Sequence, residues 1–198
     1  MGWSVFRLKG SVRVGLLCIV LLGLQLFFVP VGTAAEEHAR PNRYGVGLLV
    51  GRAYDPDSFG LVLVQGQMLV DYDRVFWHRA PDALDLKFEA NLGLTTDGRT
   101  RSLASFNVLA LYSLGNRLNR RWTPYAEAGI GLIYTGFRVE GQGLHVNFNP
   151  QAGAGVEFPL ANDQAVTIAL RLHHLSNGGL YKENRGVNSA LMMIGYLF

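Results

Sequence analysis

His174 and Ser176, separated only by Leu175, have the residue types and the spacing for nucleophilic chemistry. On an extended strand successive side chains alternate between faces, so positions two apart project together, with Cα atoms about 6.5 Å apart. A slight bend then brings imidazole and hydroxyl within hydrogen-bond reach, the arrangement in which a histidine can draw the proton from a serine. A His-x-Ser triplet alone is a frequent accident of composition, and polar residues also mark the point where a strand leaves a membrane. Placement makes this pair informative. In Leu170-Arg171-Leu172-His173-His174-Leu175-Ser176 the two share parity with Leu170 and Leu172 rather than with Arg171 and His173. Two polar residues on an apolar, lipid-facing row are costly unless they sit at an interface or have a function.

The strand that carries the pair is one of eight with period-two alternation. Leu84, Leu86, Phe88, Ala90, Leu92 and Leu94 fall on one face, opposite Asp85, Lys87, Glu89, Asn91 and Gly93. The same split recurs in 104–112, 125–134, 148–158, 166–173 and 192–198, and segments 43–54 and 60–72 complete the set. No segment after the N-terminal one has the 18 consecutive apolar residues of a membrane helix. A soluble two-sheet sandwich also has alternating strands, but here the polar face is rich in glycine (Gly129, Gly131, Gly153, Gly155). That suits the crowded interior of a narrow barrel better than a solvated surface. The expected fold is therefore all-β, an eight-stranded antiparallel transmembrane β-barrel. Phe88, Phe106, Ile130 and Leu170 should face outward, and Glu89, Asn107, Glu127 and Arg171 should face a polar lumen.

With both ends of the barrel domain in the periplasm, connections 55–58, 95–101, 136–146 and 177–187 face the exterior, which places the pair at the exterior end of the seventh strand. Trp77 and Trp122 then fall at the periplasmic ends, where interfacial anchors belong.

Ahead of the strands lies a different pattern. Arg7, Lys9 and Arg13 precede an apolar run from Val14 to Val29, and Thr33-Ala34-Ala35 comes before Glu36-Glu37. Basic, apolar, then small is the order of a cleavable secretory leader, so residues 1–35 are expected to be a signal peptide and 36–198 the barrel domain. The excess of 18 Lys and Arg over 15 Asp and Glu belongs to that leader. Without it the chain is formally neutral and gives no reason to expect a nucleic-acid partner. Cys18, the single cysteine, goes with the leader, leaving neither disulfides nor thiol chemistry. His38, His78 and His145 are scattered, and neither a metal nor another cofactor is expected. The chain ends on Phe198 at the tip of an alternating strand, resembling the terminal signal read by the outer-membrane assembly machinery.

The stretch Thr123-Pro124-Tyr125-Ala126-Glu127-Ala128-Gly129-Ile130-Gly131, then Gly153-Ala154-Gly155, then His174-Leu175-Ser176-Asn177 with Gly179-Leu180 and Asn184, resembles the PagL-type lipid A 3-O-deacylase family. The likeness runs almost continuously from Thr123 to the C-terminus. It implies an outer-membrane esterase that removes the ester-linked 3-hydroxyacyl chain at position 3 of lipid A, the membrane anchor of lipopolysaccharide. By the resemblance Ser176 is the nucleophile and His174 its general base. An outward pair at the exterior leaflet also meets an ester that lies in that leaflet.

Such chemistry needs an oxyanion donor. Asn184 is the first candidate, with the Asn177 amide and the backbone amides of Gly178 and Gly179 as others. No Gly-x-Ser-x-Gly elbow indicates an α/β-hydrolase. One departure from the family's pattern is at Asn188, aligned with a glutamate that orients the histidine. An asparagine can hold an imidazole tautomer but cannot stabilise imidazolium by charge, and Glu183 is the other candidate for the third member. Pro150 is a further departure. Two other readings stand beside the deacylase: a non-catalytic barrel serving membrane integrity or adhesion, and a phospholipase using the same pair.

Overall fold

A strand whose outward side chains lie in hydrocarbon has no water to satisfy its backbone, so each edge must find a partner. The computed structural model, which describes residues 40–76, 80–115 and 121–198, meets this requirement by closing on itself. Its strands are β1 (Arg43–Asp55), β2 (Phe59–Asp71), β3 (Leu84–Thr95), β4 (Ser102–Ser113), β5 (Thr123–Thr135), β6 (Val146–Phe148), β7 (Gln151–Pro159), β8 (Ala165–Leu175) and β9 (Val187–Leu197). All pairs are antiparallel, and the ring closes through β1 on β9 and β4 on β5. A single 3-10 turn, Tyr72–Arg74, is the helical structure among the described residues.

The nine segments form eight staves, because β6 and β7 both pair with β5 and are two halves of one stave. The break falls at Asn149-Pro150, where proline has no N–H to give to a ladder. The neighbouring groups stay paired: Asn149 N–H donates to Gly131 O at 2.9 Å, and Pro150 O accepts from His174 N–H at 3.0 Å. The fold is thus the closed eight-stranded barrel that the alternation implies.

The faces follow the alternation. Leu170 and Leu92 are 69% and 65% exposed on the outer wall, and Phe106 and Ile130 share it, while Lys87, Glu89, Asn107, Glu127 and Arg171 are buried inside. Arg171 reaches across the lumen, its Nη1 and Nη2 donating to Glu89 at 2.8 and 2.9 Å and its Nε to Glu127 Oε1 at 2.8 Å. Lys87 Nζ bridges the same two carboxylates at 3.0 and 3.1 Å. Two cations and two anions are therefore matched in one buried cluster, with Gln151 Oε1 accepting from Arg171 at 3.0 Å.

The expected polar residues do line the lumen, but they do not fill it alone. Leu49, Leu109, Leu191, Met193 and Leu197 also point inward and are fully buried. A barrel of eight strands is just narrow enough to be filled by its own side chains, and apolar layers fill what the charge cluster does not. Toward the mouth Phe59 and Phe137 meet edge to face at 4.8 Å, with Val139 buried beside them. Crowding explains the inward glycines: a Cβ on Gly155 would lie 2.5 Å from the Tyr125 ring.

Trp122 is half exposed just before β5. The proposed leader 1–35, Trp77, His38 and His78 lie outside the described residues.

If the buried cluster holds the barrel together, Arg171→Met should cost about 3 kcal/mol or more, since it leaves an uncompensated buried carboxylate. Heat-modifiable migration on gels, followed against temperature, should show the barrel opening at lower temperature. Adding Glu127→Gln should recover part of the loss; an unchanged midpoint for Arg171→Met would contradict the assignment.

Candidate active site

The register of β8 on β9 fixes the site. His174 stands opposite Asn188, and Leu175 opposite Val187. Leu172 and Leu170 below His174, and Ala190 and Met192 below Asn188, are exposed on the outer wall, so both site residues project outward at its upper end. His174 is exposed and Asn188 half-buried. Their side chains are hydrogen-bonded, His174 Nδ1 to Asn188 Oδ1 at 2.6 Å.

Ser176 lies one outward step beyond His174 and is half-buried. Its backbone exchanges hydrogen bonds with Phe148, at 2.8 and 3.1 Å, which extends the pairing of β8 onto β6 past the proline break. The serine is held in extended conformation by those bonds. Among the described residues its hydroxyl makes no hydrogen bond to the imidazole.

The other edge of the imidazole faces the serine's row. Continuing the register puts Gly186 opposite Ser176, and a Cβ there would lie 2.6 Å from His174 Cε1 and 3.1 Å from Nε2. A side chain at this position would therefore displace the ring. Nδ1 is thus engaged by Asn188, while the Cε1–Nε2 edge of the ring lies against Gly186.

Asn188 has a second partner. Its Nδ2 donates to Asp55 Oδ2 at 2.8 Å, and Asp55 Oδ1 accepts from Arg185 Nη2 at 2.7 Å. Strict alternation along β1 would turn Asp55 inward with Ala53. Instead the β1–β9 register shifts between Ala53 and Asp55, so that Ala53 pairs with Ser189 and Asp55 with Asn188. The extra residue re-aims the carboxylate to the outer wall, as bulges beside functional sites do.

Of the candidate oxyanion donors, Asn177 is committed to its loop. Its Nδ2 donates to Glu183 O at 2.8 Å, its Oδ1 accepts from Gly179 N–H at 3.0 Å, and its own N–H donates to Asn184 Oδ1 at 2.7 Å. That leaves Asn184 Nδ2 and the Gly178 N–H without hydrogen-bond partners among the described residues. Gly178 has φ +62, a left-handed conformation that suits glycine. The residue at the imidazole is Asn188 and not Glu183, which is exposed beside Lys182 at 3.9 Å. Loop 177–186 is braced by its neighbour: Gly143 N–H donates to Glu183 O and Arg185 N–H to Gly141 O, both at 2.8 Å. No group of three or more His, Cys, Asp or Glu side chains suited to a metal occurs among the described residues.

Asp55 and Gly186 are the site residues that sequence reasoning does not single out. Gly186 carries no reactive group. Asp55 lies 133 positions from Asn188 and is brought to it only by ring closure and a bulge.

Residues 65–197 match the family model described as lipid A 3-O-deacylase (PagL). Among solved structures, the outer membrane enzyme PagL is 27% identical over 76% of this chain and 97% of its own, with a TM-score of 0.57. Neisserial surface protein A is 12% identical over 81% of this chain and 98% of its own, with a TM-score of 0.63, a likeness of fold alone. No curated protein matches.

Gly186→Ala should leave folding intact while displacing the imidazole by about 1 Å, and misplacement on that scale costs up to about 100-fold in rate. Whatever reaction His174 supports should fall at least tenfold, with normal heat-modifiable migration; full activity would show that the ring is not constrained from this side.

Proposed function

Because the chain belongs to the lipid A 3-O-deacylase (PagL) family, we propose that this outer-membrane barrel hydrolyses the ester-linked 3-hydroxyacyl chain at position 3 of lipid A, with Ser176 as nucleophile and His174 as base. The observation that carries the reading is the outward placement of the His174–Asn188 pair and Ser176 on one row at the upper end of the wall. A lipid-facing hydrophilic row is costly, and a substrate whose ester lies at that depth gives it a use.

The step balances simply. His174 Nε2 takes the Ser176 proton while Oγ bonds to the ester carbonyl carbon. Negative charge gathers on the carbonyl oxygen, where the Gly178 N–H and Asn184 Nδ2 are the uncommitted donors. Collapse breaks the bond to the sugar oxygen, which leaves with the proton from Nε2. Water then attacks the acyl-serine through the same base, releasing a 3-hydroxy fatty acid and restoring Ser176. In this proposal residues 1–35 direct export and are removed, and Phe198 presents the terminal strand to the assembly machinery.

Produced in an outer membrane whose lipid A carries the position-3 ester, the protein should convert part of it to a species lighter by one 3-hydroxyacyl group, read by mass spectrometry. Ser176→Ala and His174→Ala should leave lipid A unchanged while migrating as folded barrels. Identical spectra for all three proteins, with phospholipids also intact, would replace the enzyme by a non-catalytic barrel; cleaved phospholipid alone would make it a phospholipase.

A further inference from the structure

An imidazole can serve as base at Nε2 only when its proton resides on Nδ1, and something must choose that tautomer. In this site the partner of Nδ1 is an amide, which can equally well turn its oxygen or its nitrogen toward the ring. Had Asn188 turned the other way, Nδ2 would donate to Nδ1, the ring proton would move to Nε2, and the base would be lost. What decides the orientation is the next group along. Asp55 Oδ2 lies 2.8 Å from Asn188 Nδ2, and an ionised carboxylate accepts only. It demands a donor, so Nδ2 must face Asp55 and Oδ1 must face His174, as the 2.6 Å contact requires.

We propose that Asp55 is a positioning residue of the deacylase: through Asn188 it fixes the Nδ1–H tautomer of His174 and supplies the negative charge that the amide lacks. The inference rests on the reading of His174 as base. Asp55 and Asn188 together do in two residues what one carboxylate on the histidine does elsewhere. Two features of this chain are arranged to that end. The bulge in β1 turns Asp55 out of the lumen and onto the site face. Arg185 Nη2 holds the other carboxylate oxygen at 2.7 Å, which orients the group. The Asp55–Arg185 pair is itself substantially exposed, 41% and 50% at the side chains, so it contributes little to folding. A role in stability alone does not account for the bulge.

The charge reaches the ring attenuated by the intervening amide and by Arg185. The orientation does not, because it depends on hydrogen-bond polarity rather than distance. Loss of Asp55 should therefore act mainly by letting Asn188 flip, reducing the fraction of protein with a usable base.

An isosteric exchange tests this in the full-length barrel. Asp55→Asn should lower kcat by about ten- to a hundredfold, the size seen when a group that orients another is removed, with KM and heat-modifiable migration unchanged. Asn188→Asp should also be impaired, because it sets two carboxylates face to face. The double variant Asp55→Asn with Asn188→Asp should recover to within a few-fold of wild type: the carboxylate now touches the ring, and the amide introduced at position 55 can donate to it while still accepting from Arg185. Nitrogen-15 spectra of histidine-labelled protein in micelles provide a readout apart from turnover. Wild type and the double variant should show His174 protonated at Nδ1, and Asp55→Asn a mixture of tautomers. Full activity and a pure Nδ1–H tautomer in Asp55→Asn would overturn the proposal, as would a double variant no better than the singles. If no protein, wild type included, releases acyl chains while the tautomer still responds to Asp55, the deacylase reading fails and the orienting role of Asp55 stands.

Discussion

The cluster of Arg171, Lys87, Glu89 and Glu127 is the interaction on which the geometry of the site depends. Arg171 lies on β8, three residues before His174, and its guanidinium is committed to Glu89 and Glu127 across the lumen. A slip of β8 by one residue would put every side chain on the opposite face. It would carry Arg171 into lipid, leave two buried carboxylates with a single cation, and turn His174 and Ser176 into the lumen. Any such alternative is penalised by several kcal/mol at each end. The ion cluster thus determines more than stability. It sets the parity of the strand that bears the candidate pair, and through the ladder of β8 on β9 it sets the face of Asn188.

Ring closure completes what parity begins. In an open sheet β1 and β9 would be distant edges; here their ladder runs from Gly45–Leu197 to Asp55–Asn188. The strands that bring Asp55, Asn188 and His174 together are thus the first, last and penultimate of the barrel. Hydrocarbon requires closure for backbone reasons alone, and this site uses the resulting seam. At its upper end the regular ladder is interrupted twice, by the bulge before Asp55 and by the break at Pro150. Both irregularities flank the candidate pair: the bulge aims a carboxylate at it, while beyond Pro150 the register of β7 on β8 continues unchanged and Phe148 pairs with Ser176. In a closed barrel such departures are tolerated near a rim, where water can satisfy what the ladder leaves open.

The alternation of apolar and polar residues made the barrel legible in the sequence, since lipid on one side and a filled lumen on the other leave period two unambiguous. Parity alone also placed Arg171 inward and His174 outward. It did not reveal that Leu49, Leu109, Leu191 and Met193 fill the lumen, because an inward leucine surrounded by outward ones reads as one continuous apolar run. Nor did it reveal Asp55. Parity counted along β1 puts that residue inside, and only the bulge corrects the count. Gly186 was invisible for a different reason: its contribution is the absence of a side chain next to the His174 ring. The Asn177 amide looked available because its sequence position is close to the serine, whereas its hydrogen bonds to Glu183 and Gly179 belong to the loop.

The position of the pair along the wall answers a chemical requirement that neither a lumenal nor a deeply lipid-facing site would meet. Hydrolysis of a lipid ester needs an acyl chain lying in hydrocarbon, a carbonyl within reach of the nucleophile, and water to release the acyl-enzyme. Leu170 and Leu172 present an apolar track below the site, along which a chain can lie at no desolvation cost. In the proposed reaction Ser176, one step higher and half-buried, would meet the ester where the chain ends. Above it the loops carry exposed polar residues, among them Asn184 and Arg185, and water is at hand. The same location limits what a carboxylate next to His174 could contribute, since charge at a wet rim is screened. A hydrogen-bonded relay that selects a tautomer loses less to that screening than direct ion pairing does, and this is a physical reason why an asparagine backed by an aspartate can stand at position 188.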